Sequence, residues 1–569
     1  MTINPFQRIS ARLLLSRAKH RSLQGHPKLT LRLARWIPEY NYTESNFFSS
    51  DDAPHEVQEK RREGFNRLAD LFQQRFSKTI AFTEELESSV SDLAFVNANR
   101  VPFQYREYVS RHLKMGSIAD ETDGPRVRDL DGNWSYDLGG SYGVNLFGSG
   151  FYKRCIDRGV KRARGLGLVL GPYHPIISDN VARLKDISGL EEVSFHMSGT
   201  EAVMQAVRLA QYHTKRSHVV RFCGAYHGWW DGVQAGIGNP RPARDLYTLK
   251  DMHPDTLRVL RARDDVACVL VNPIQALNPN TIPASDSALI ASDRLANFDR
   301  SSYKNWLQEL REVCTARSIV LIFDEVFLGF RLARGGAQEY FGVRADLVTY
   351  GKSLGGGLPV GAICGKAPLM RRFHAGSPLD ICFARGTFNS HPYVMATMNE
   401  FLRYLDDAKV RAGYEQLDSI WNGRALELNQ RLARLGLPVR VANMTSVWTT
   451  LYIRPSRYNW MFQYYLRAEG LTMSWIGTGR FVFSHDLTDA DFDDIANRFV
   501  AAATAMQSDG WWWSDAKLTN ASIKRRVLKE LLSVSLGYAP SDLTTRREKD
   551  VTAPHDTSSR RETGPSESW

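Results

Sequence analysis

Cysteine, long apolar runs and, near its start, acidic side chains are what this 569-residue chain has little of. Its six cysteines (Cys155, Cys223, Cys268, Cys314, Cys364, Cys382) are scattered and form no CxxC pair, so no disulfide framework can be read. With no apolar leader in view either, a reducing, cytoplasmic location is expected. No stretch reaches the roughly 18–20 apolar residues of a membrane span. Runs such as 319–323 have only the length of a core strand. The 43% hydrophobic and 24% charged content excludes a wholly disordered or fibrous chain.

Acid is missing altogether from residues 1–38, which carry eight Arg or Lys and much of the +11 net charge. Such a segment suits an acidic membrane surface or nucleic acid, and has the arginine-rich look of a transit peptide. The plainest expectation is a solvated helical lead-in.

The rest reads as successive zones. A helix is predicted from Asp51, with Asp52 near its cap, Pro54 in its first turn, and Phe65, Leu68, Phe72 and Phe76 at helical spacing. The basic lead-in and this helical extension span 1–115, and 116–165 form the N-terminal part of a small domain. From 166 to 430, candidate strands 219–222, 266–271, 319–323 and 347–350 alternate with helical segments, which predicts an α/β fold with a mainly parallel sheet. A smaller α+β unit is expected at 431–515, with strands at 447–453 and 480–484 and helices at 458–469 and from Asp489. Of the final extension, 516–569, the last thirty or so residues are expected to be disordered.

Open parallel sheets place functional groups beyond the carboxyl ends of their strands. Three such ends carry reactive residues: Gly224-Ala-Tyr-His-Gly228, Asp324-Glu325-Val326 and Gly351-Lys352-Ser. A lysine between an apolar strand and a glycine turn is partly desolvated, which lowers its pKa and leaves an amine able to condense with an aldehyde. The phosphate-loop reading of Gly-Lys-Ser fails, because the first glycine of that motif would fall on Asp346. Asp324 ends the most apolar strand and needs a positive partner, either a protonated pyridine nitrogen or an arginine such as Arg331. Ser198-Gly199-Thr200 precedes a helical run, where free N–H groups suit an anion. Tyr226 offers a flat face to a ring. Together these are the parts of a pyridoxal phosphate site, and no metal set is seen.

With Ser198-Gly-Thr-Glu-Ala202, Tyr226-His-Gly228, Asp324-Glu-Val-Phe-Leu-Gly-Phe-Arg331, Gly351-Lys-Ser-Leu-Gly-Gly-Gly-Leu-Pro-Val-Gly361 and Gly386-Thr-Phe-Asn389 in that order, the chain resembles class III pyridoxal-phosphate aminotransferases, especially their glutamate-1-semialdehyde aminomutase branch. The resemblance covers about residues 125–505. It implies the aspartate aminotransferase-like fold type I, with Lys352 holding the cofactor and Asp324 pairing with its ring nitrogen. By the same resemblance Val326 and Tyr226 flank the ring, Ser198, Gly199 and Thr200 hold the phosphate, and Thr387 reaches the neighbouring subunit's phosphate in a homodimer.

Two positions depart from the family pattern. Asn272-Pro273-Ile-Gln275 stands where Glu-Pro is usual, so Gln275 or Asn278 becomes the candidate for the ring hydroxyl. Phe327-Leu328 replaces the usual Met-Thr or Gln-Thr. The expectation is therefore amino transfer from a small-molecule donor to an aldehyde or ketone acceptor, free or carrier-bound, in specialised metabolism. A 2,1-aminomutase is the alternative, ahead of a decarboxylase, a racemase or a DNA-binding regulator. Residues 229–247 are the candidate gate, and Trp229, Trp230 and Trp475 point to a bulky or apolar acceptor. No nucleic acid partner is expected, since no helix-turn-helix pattern occurs in 1–115.

Overall fold

Seven strands form the main sheet: β1 (Glu192–His196), β2 (His218–Phe222), β3 (Leu246–Leu249), β4 (Val266–Val271), β5 (Val320–Asp324), β6 (Leu347–Gly351) and β7 (Gly361–Gly365). The computed structural model describes residues 5–20, 25–234, 239, 244–277, 298–473 and 479–538. The sheet order is β1-β7-β6-β5-β4-β2-β3, and only the pairings of β7, with β1 and β6, are antiparallel. The inner strands β4, β5 and β6 are buried along their whole length, as a sheet covered on both faces demands.

Helix Gly199–Thr214 covers one face with Ala202, Val203, Ala206, Val207 and Ala210, and ends where Lys215 turns left-handed at φ 54°. The four expected strands are present with ends shifted by a residue at most. Strands β1, β3 and β7 escape sequence reading because each is short and either part-polar or glycine-bounded, as in Gly-Ala-Ile-Cys-Gly.

The basic lead-in is not simply solvated. Helix Pro5–Ala18 buries Ala18 against the main core, and Lys19 bridges to Leu249 on β3. His20 N donates to Thr248 O (3.2 Å) and Lys250 N to Ala18 O (3.0 Å), so the segment covers the open edge of the sheet.

A second core unites segments distant in sequence. Helix His55–Arg75 contributes Phe65, Leu68 and Phe72; the C-terminal unit contributes Trp448, Phe462, Phe481 and Phe499; helix Asn520–Ser535 adds Ile523, Val527 and Leu531. The unit's antiparallel sheet is Val439–Met444, Val447–Tyr452 and Arg480–Val482, and a capping box of Thr488 and Asp491 starts helix Asp489–Ser508. Strand Leu471–Thr472 pairs with Trp134–Asp137, joining residues before and after the main sheet.

The first long helix begins at His55, with Pro54 before it rather than in its first turn. Asp51 and Asp52 are left-handed (φ 68° and 61°) because other partners claim them. Buried Arg457 donates to Asp51 Oδ1 (2.9 Å), Tyr42 Oη (2.9 Å) and Glu530 Oε1 (2.7 Å), while Arg526 pairs with Asp52 (3.0 Å). Residues 539–569, read as the disordered tail, lie outside the described residues.

Candidate active site

Strands β5 and β6 run parallel with Asp324 opposite Thr349, which brings their carboxyl ends together. Asp324 is buried, and its Oδ2 lies 2.7 Å from His227 Nδ1. Its Oδ1 accepts from Val326 N (3.1 Å) and Thr349 Oγ1 (3.3 Å). Burial pushes the His227 imidazole down, against the opposing pull of Asp324, so it stands neutral with its proton on Nδ1. Every hydrogen-bond donor to this buried carboxylate is thus uncharged.

Arg331, the rival partner for Asp324, points elsewhere. It donates to the carbonyls of Phe483 (2.7 Å), Asn145 (3.0 Å) and Gly143 (3.2 Å) and to Ser446 Oγ (3.3 Å). Burial without a carboxylate lowers its pKa to about 10. It ties the sheet's active edge to both parts of the small unit.

Lys352 follows β6 directly and is left-handed, with φ 48°. A non-glycine residue in that region stores strain, which here turns the side chain sharply off the strand. Its Nζ sits 5.6 Å from the centroid of the Phe327 ring. Burial lowers the amine pKa, Asp324 raises it and Arg331 lowers it again.

Glycines let the quoted motifs abut. A Cβ on Gly199 would lie 2.6 Å from Val326 Cγ1, and one on Gly351 would lie 3.2 Å from that atom and 3.5 Å from Gly199 Cα. A Cβ on Gly361 would meet Ser198 O at 2.0 Å, and one on Gly228 would meet Thr200 Oγ1 at 2.6 Å. Ser198 Oγ caps the helix by accepting from Glu201 N (3.2 Å), while Met197 N donates to Glu201 Oε2 (3.0 Å). The first-turn amides of Gly199 and Thr200 remain available to an anion.

Tyr226 stands exposed at the rim, its carbonyl accepting from Asn272 Nδ2 (3.4 Å). Gln275 is buried, with its amide donated to the Cys223 carbonyl and its Oε1 unpartnered. Thr387 lies exposed on a loop whose Gly386 would place a Cβ 3.9 Å from Glu201 Oε2. Asn278 and Trp475 fall outside the described residues. Trp229 is exposed, whereas Trp230 packs on the core under helix Gly199–Thr214. Both ends of the candidate gate are anchored: Arg221 holds Val233 O (2.7 Å), and Tyr247 belongs to β3. Residues 235–238 and 240–243 between them are outside the description.

Sequence reasoning passed over three groups. His227 lies inside a quoted motif, and only the tertiary contact reveals its partner. Gly143, next to the left-handed Tyr142 (φ 58°), abuts Phe327, whose ring lies 2.6 Å from a Cβ placed on Gly143. Arg480 had no signal at all. It lies on the same strand face as Val482, whose carbonyl abuts Gly140, and burial takes its pKa down to about 10 with no acidic partner among the described residues.

A glutamate-1-semialdehyde 2,1-aminomutase of Acetivibrio thermocellus is 34% identical over 301 residues, covering 50% of this chain and 64% of that relative, just under two thirds of its length. A solved transaminase with PLP bound matches 69% of this chain and 92% of its own, at 26% identity and TM-score 0.59. A glutamate-1-semialdehyde aminomutase structure from Pseudomonas aeruginosa shares the fold at TM-score 0.63 and 17% identity, covering 79% and 99% of the two chains. The profile of the family described as aminotransferase class-III matches residues 108–502, and the chain belongs to that family of pyridoxal-phosphate-dependent enzymes.

Proposed function

We propose that the chain is an aminotransferase that moves an amino group from a small-molecule donor to an aldehyde or ketone acceptor. One observation carries this reading: a buried Asp324 whose hydrogen-bond donors are all neutral, beside a strained, desolvated Lys352. A carboxylate so placed calls for a cation, and a protonated pyridine nitrogen is one. The donor set fits pyridoxal phosphate. Lys352 and Asp324 would hold its aldehyde carbon and ring nitrogen, Val326 and Tyr226 its faces, and Ser198, Gly199 and Thr200 its phosphate. Gln275 Oε1, buried and unpartnered, suits the ring hydroxyl.

When bound, pyridoxal phosphate supplies an aldehyde for an amine and a ring that takes up the electron pair of a deprotonated carbon. His227 Nδ1–H orients Asp324, and Asp324 holds the proton on the ring nitrogen. Lys352 Nζ, made neutral more readily by burial, takes the proton from the reacting carbon and returns it. Phe327, pressed on Gly143, walls that amine from solvent.

A homodimer fits the apolar hairpin Phe373–His374 and Ser377–Ile381, where Leu379 is 95% exposed and Phe383 follows on the way to Thr387. Six buried cysteines that form no disulfide among the described residues suit a cytoplasmic location. The second reading, a 2,1-aminomutase, is favoured by the names of the relatives. Phe327-Leu328 and Asn272 argue for a different substrate.

Visible absorbance of the purified protein with a panel of amines, beside Lys352→Ala, tests both. Bleaching by one donor and recovery with a carbonyl acceptor is the expected result. Bleaching only with a diamine or amino-aldehyde that returns as its isomer would establish the aminomutase. A colourless protein that takes up no pyridoxal phosphate sinks the assignment.

A further inference from the structure

The acid-free N-terminal segment and the last described helix, tied together through Tyr40 and Glu530, both expose apolar and basic side chains that the amino-transfer reading does not use. Helix Pro27–Ala34 buries only Thr30, leaving Leu29 and the cations Lys28 and Arg32 in solvent. Arg35 and Trp36 follow, and the indole is 77% exposed. Ile37 then packs on the second core, and Tyr40 Oη donates to Glu530 Oε2 at 3.1 Å. Trp36 is thus four residues, at most about 14 Å of chain, from the Tyr40 that contacts helix Asn520–Ser535.

That helix has two apolar stripes. Ile523, Val527 and Leu531 face the core. Leu528, Leu532 and Leu536 repeat at the same four-residue step on the outside, with Leu536 76% exposed, and Arg525 and Lys529 flank them. None of Lys28, Arg32, Arg35, Arg525 or Lys529 is paired with a carboxylate among the described residues, and Glu530 is committed to Arg457, Tyr40 and Tyr42.

We propose that this face docks the enzyme on an anionic phospholipid bilayer. Cations ringing exposed leucines and an indole match a surface of negative headgroups over hydrocarbon, where tryptophan is most at home. A nucleic acid would reward the cations but not the leucines, and a second copy would bring the same positive face. No described helix is long and apolar enough to cross the membrane, so the contact is interfacial.

The test is co-sedimentation of the full chain, loaded with pyridoxal phosphate, with phosphatidylcholine vesicles with and without phosphatidylglycerol. Binding is expected only with phosphatidylglycerol, weakening as salt rises. The triple variant Lys28→Glu, Arg32→Glu, Arg35→Glu should lower partitioning about tenfold or more. The uncharged variant Trp36→Ser with Leu532→Ser should also weaken it while leaving the cofactor absorbance unchanged, which separates docking from folding and from the amino-transfer assignment. Equal binding to neutral vesicles, or none to either, overturns the proposal. So does a change of oligomeric mass in the Trp36→Ser, Leu532→Ser variant, which would make the face a contact between copies. Retention on nucleic acid that needs the cations but not Trp36 would overturn it as well.

Discussion

His227 Nδ1 meets Asp324 Oδ2 at 2.7 Å with both side chains buried, so a neutral imidazole steadies the carboxylate at the centre of the site. His227→Phe fills similar space but removes the donor. Loss of a hydrogen bond to a buried carboxylate costs about 1–3 kcal/mol. We expect pyridoxal phosphate to bind roughly tenfold or more weakly and the donor half-reaction to slow by a similar factor. Absorbance titration and stopped-flow bleaching measure the two, and unchanged values would show that the contact is incidental.

In the proposed reaction Lys352 acts as a neutral amine, and burial lowers its pKa from the usual lysine range. The rate of the donor half-reaction should therefore rise with pH and level off below pH 10.5, the value for a free lysine side chain. Lys352→Ala should abolish the half-reaction, with exogenous methylamine restoring a fraction of it. A pH profile still climbing past the free-lysine value would contradict the desolvated amine.

Gly199 and Val326 are in direct apposition, a Cβ on the glycine falling 2.6 Å from Val326 Cγ1. Gly199→Ala should weaken pyridoxal phosphate binding about tenfold, since overpacking of this kind costs about 1–3 kcal/mol. The double variant with Val326→Ala should recover part of that loss. A double-mutant cycle of affinities checks the coupling, and additive losses would separate the two residues.

Glu325, next to Asp324, accepts Ala337 N (2.6 Å) and Gln338 N (3.1 Å), and burial raises its pKa from 4.5 to about 7. The folded state therefore holds this proton more tightly than the unfolded chain. Its contribution is most favourable below pH 4.5 and is lost as pH rises towards 7. The loss is on the order of 3 kcal/mol. Glu325→Gln should flatten that slope in denaturant titrations taken across the window, whereas an unchanged slope would assign it to other groups.

Arg457 holds the N-terminal extension, the small unit and helix Asn520–Ser535 in one buried network. Arg457→Met takes the cation from Glu530 and leaves Asp51 only Arg526 at 3.6 Å, and breaking a buried pair costs about 3–5 kcal/mol. A fall of several degrees in melting temperature is expected, with protease cleavage appearing between the extension and the sheet. A Tm within a degree of the parent would refute the network's role.

Lys352 and Asp324 were legible as candidates because each stands as a chemically unusual side chain at the end of an apolar strand, where sequence period and turn glycines agree. The Ser198-Gly199-Thr200 turn was legible as a candidate from the helical run it precedes. His227 was visible only as a letter in a motif, since its role depends on a contact across 97 residues. Arg331 stood as the alternative partner for Asp324, because sequence shows a nearby cation but not the four acceptors from three distant segments that hold it. Arg480 gave no signal, because an arginine on a strand becomes informative only once its surroundings are known to lack acid.

What the sequence determined by itself is local and periodic: the buried strands, the helix faces, the glycine turns and the reactive residues at strand ends. The tertiary structure alone decided which distant parts share a core. It folded a segment expected to be solvated onto the sheet's open edge, and joined the extension to the C-terminal helix through Arg457. The physical reason is that hydrophobic period says which face of an element is buried, but not against what. The partner is chosen by shape and by the need to satisfy every buried polar group, and those are properties of the assembled chain.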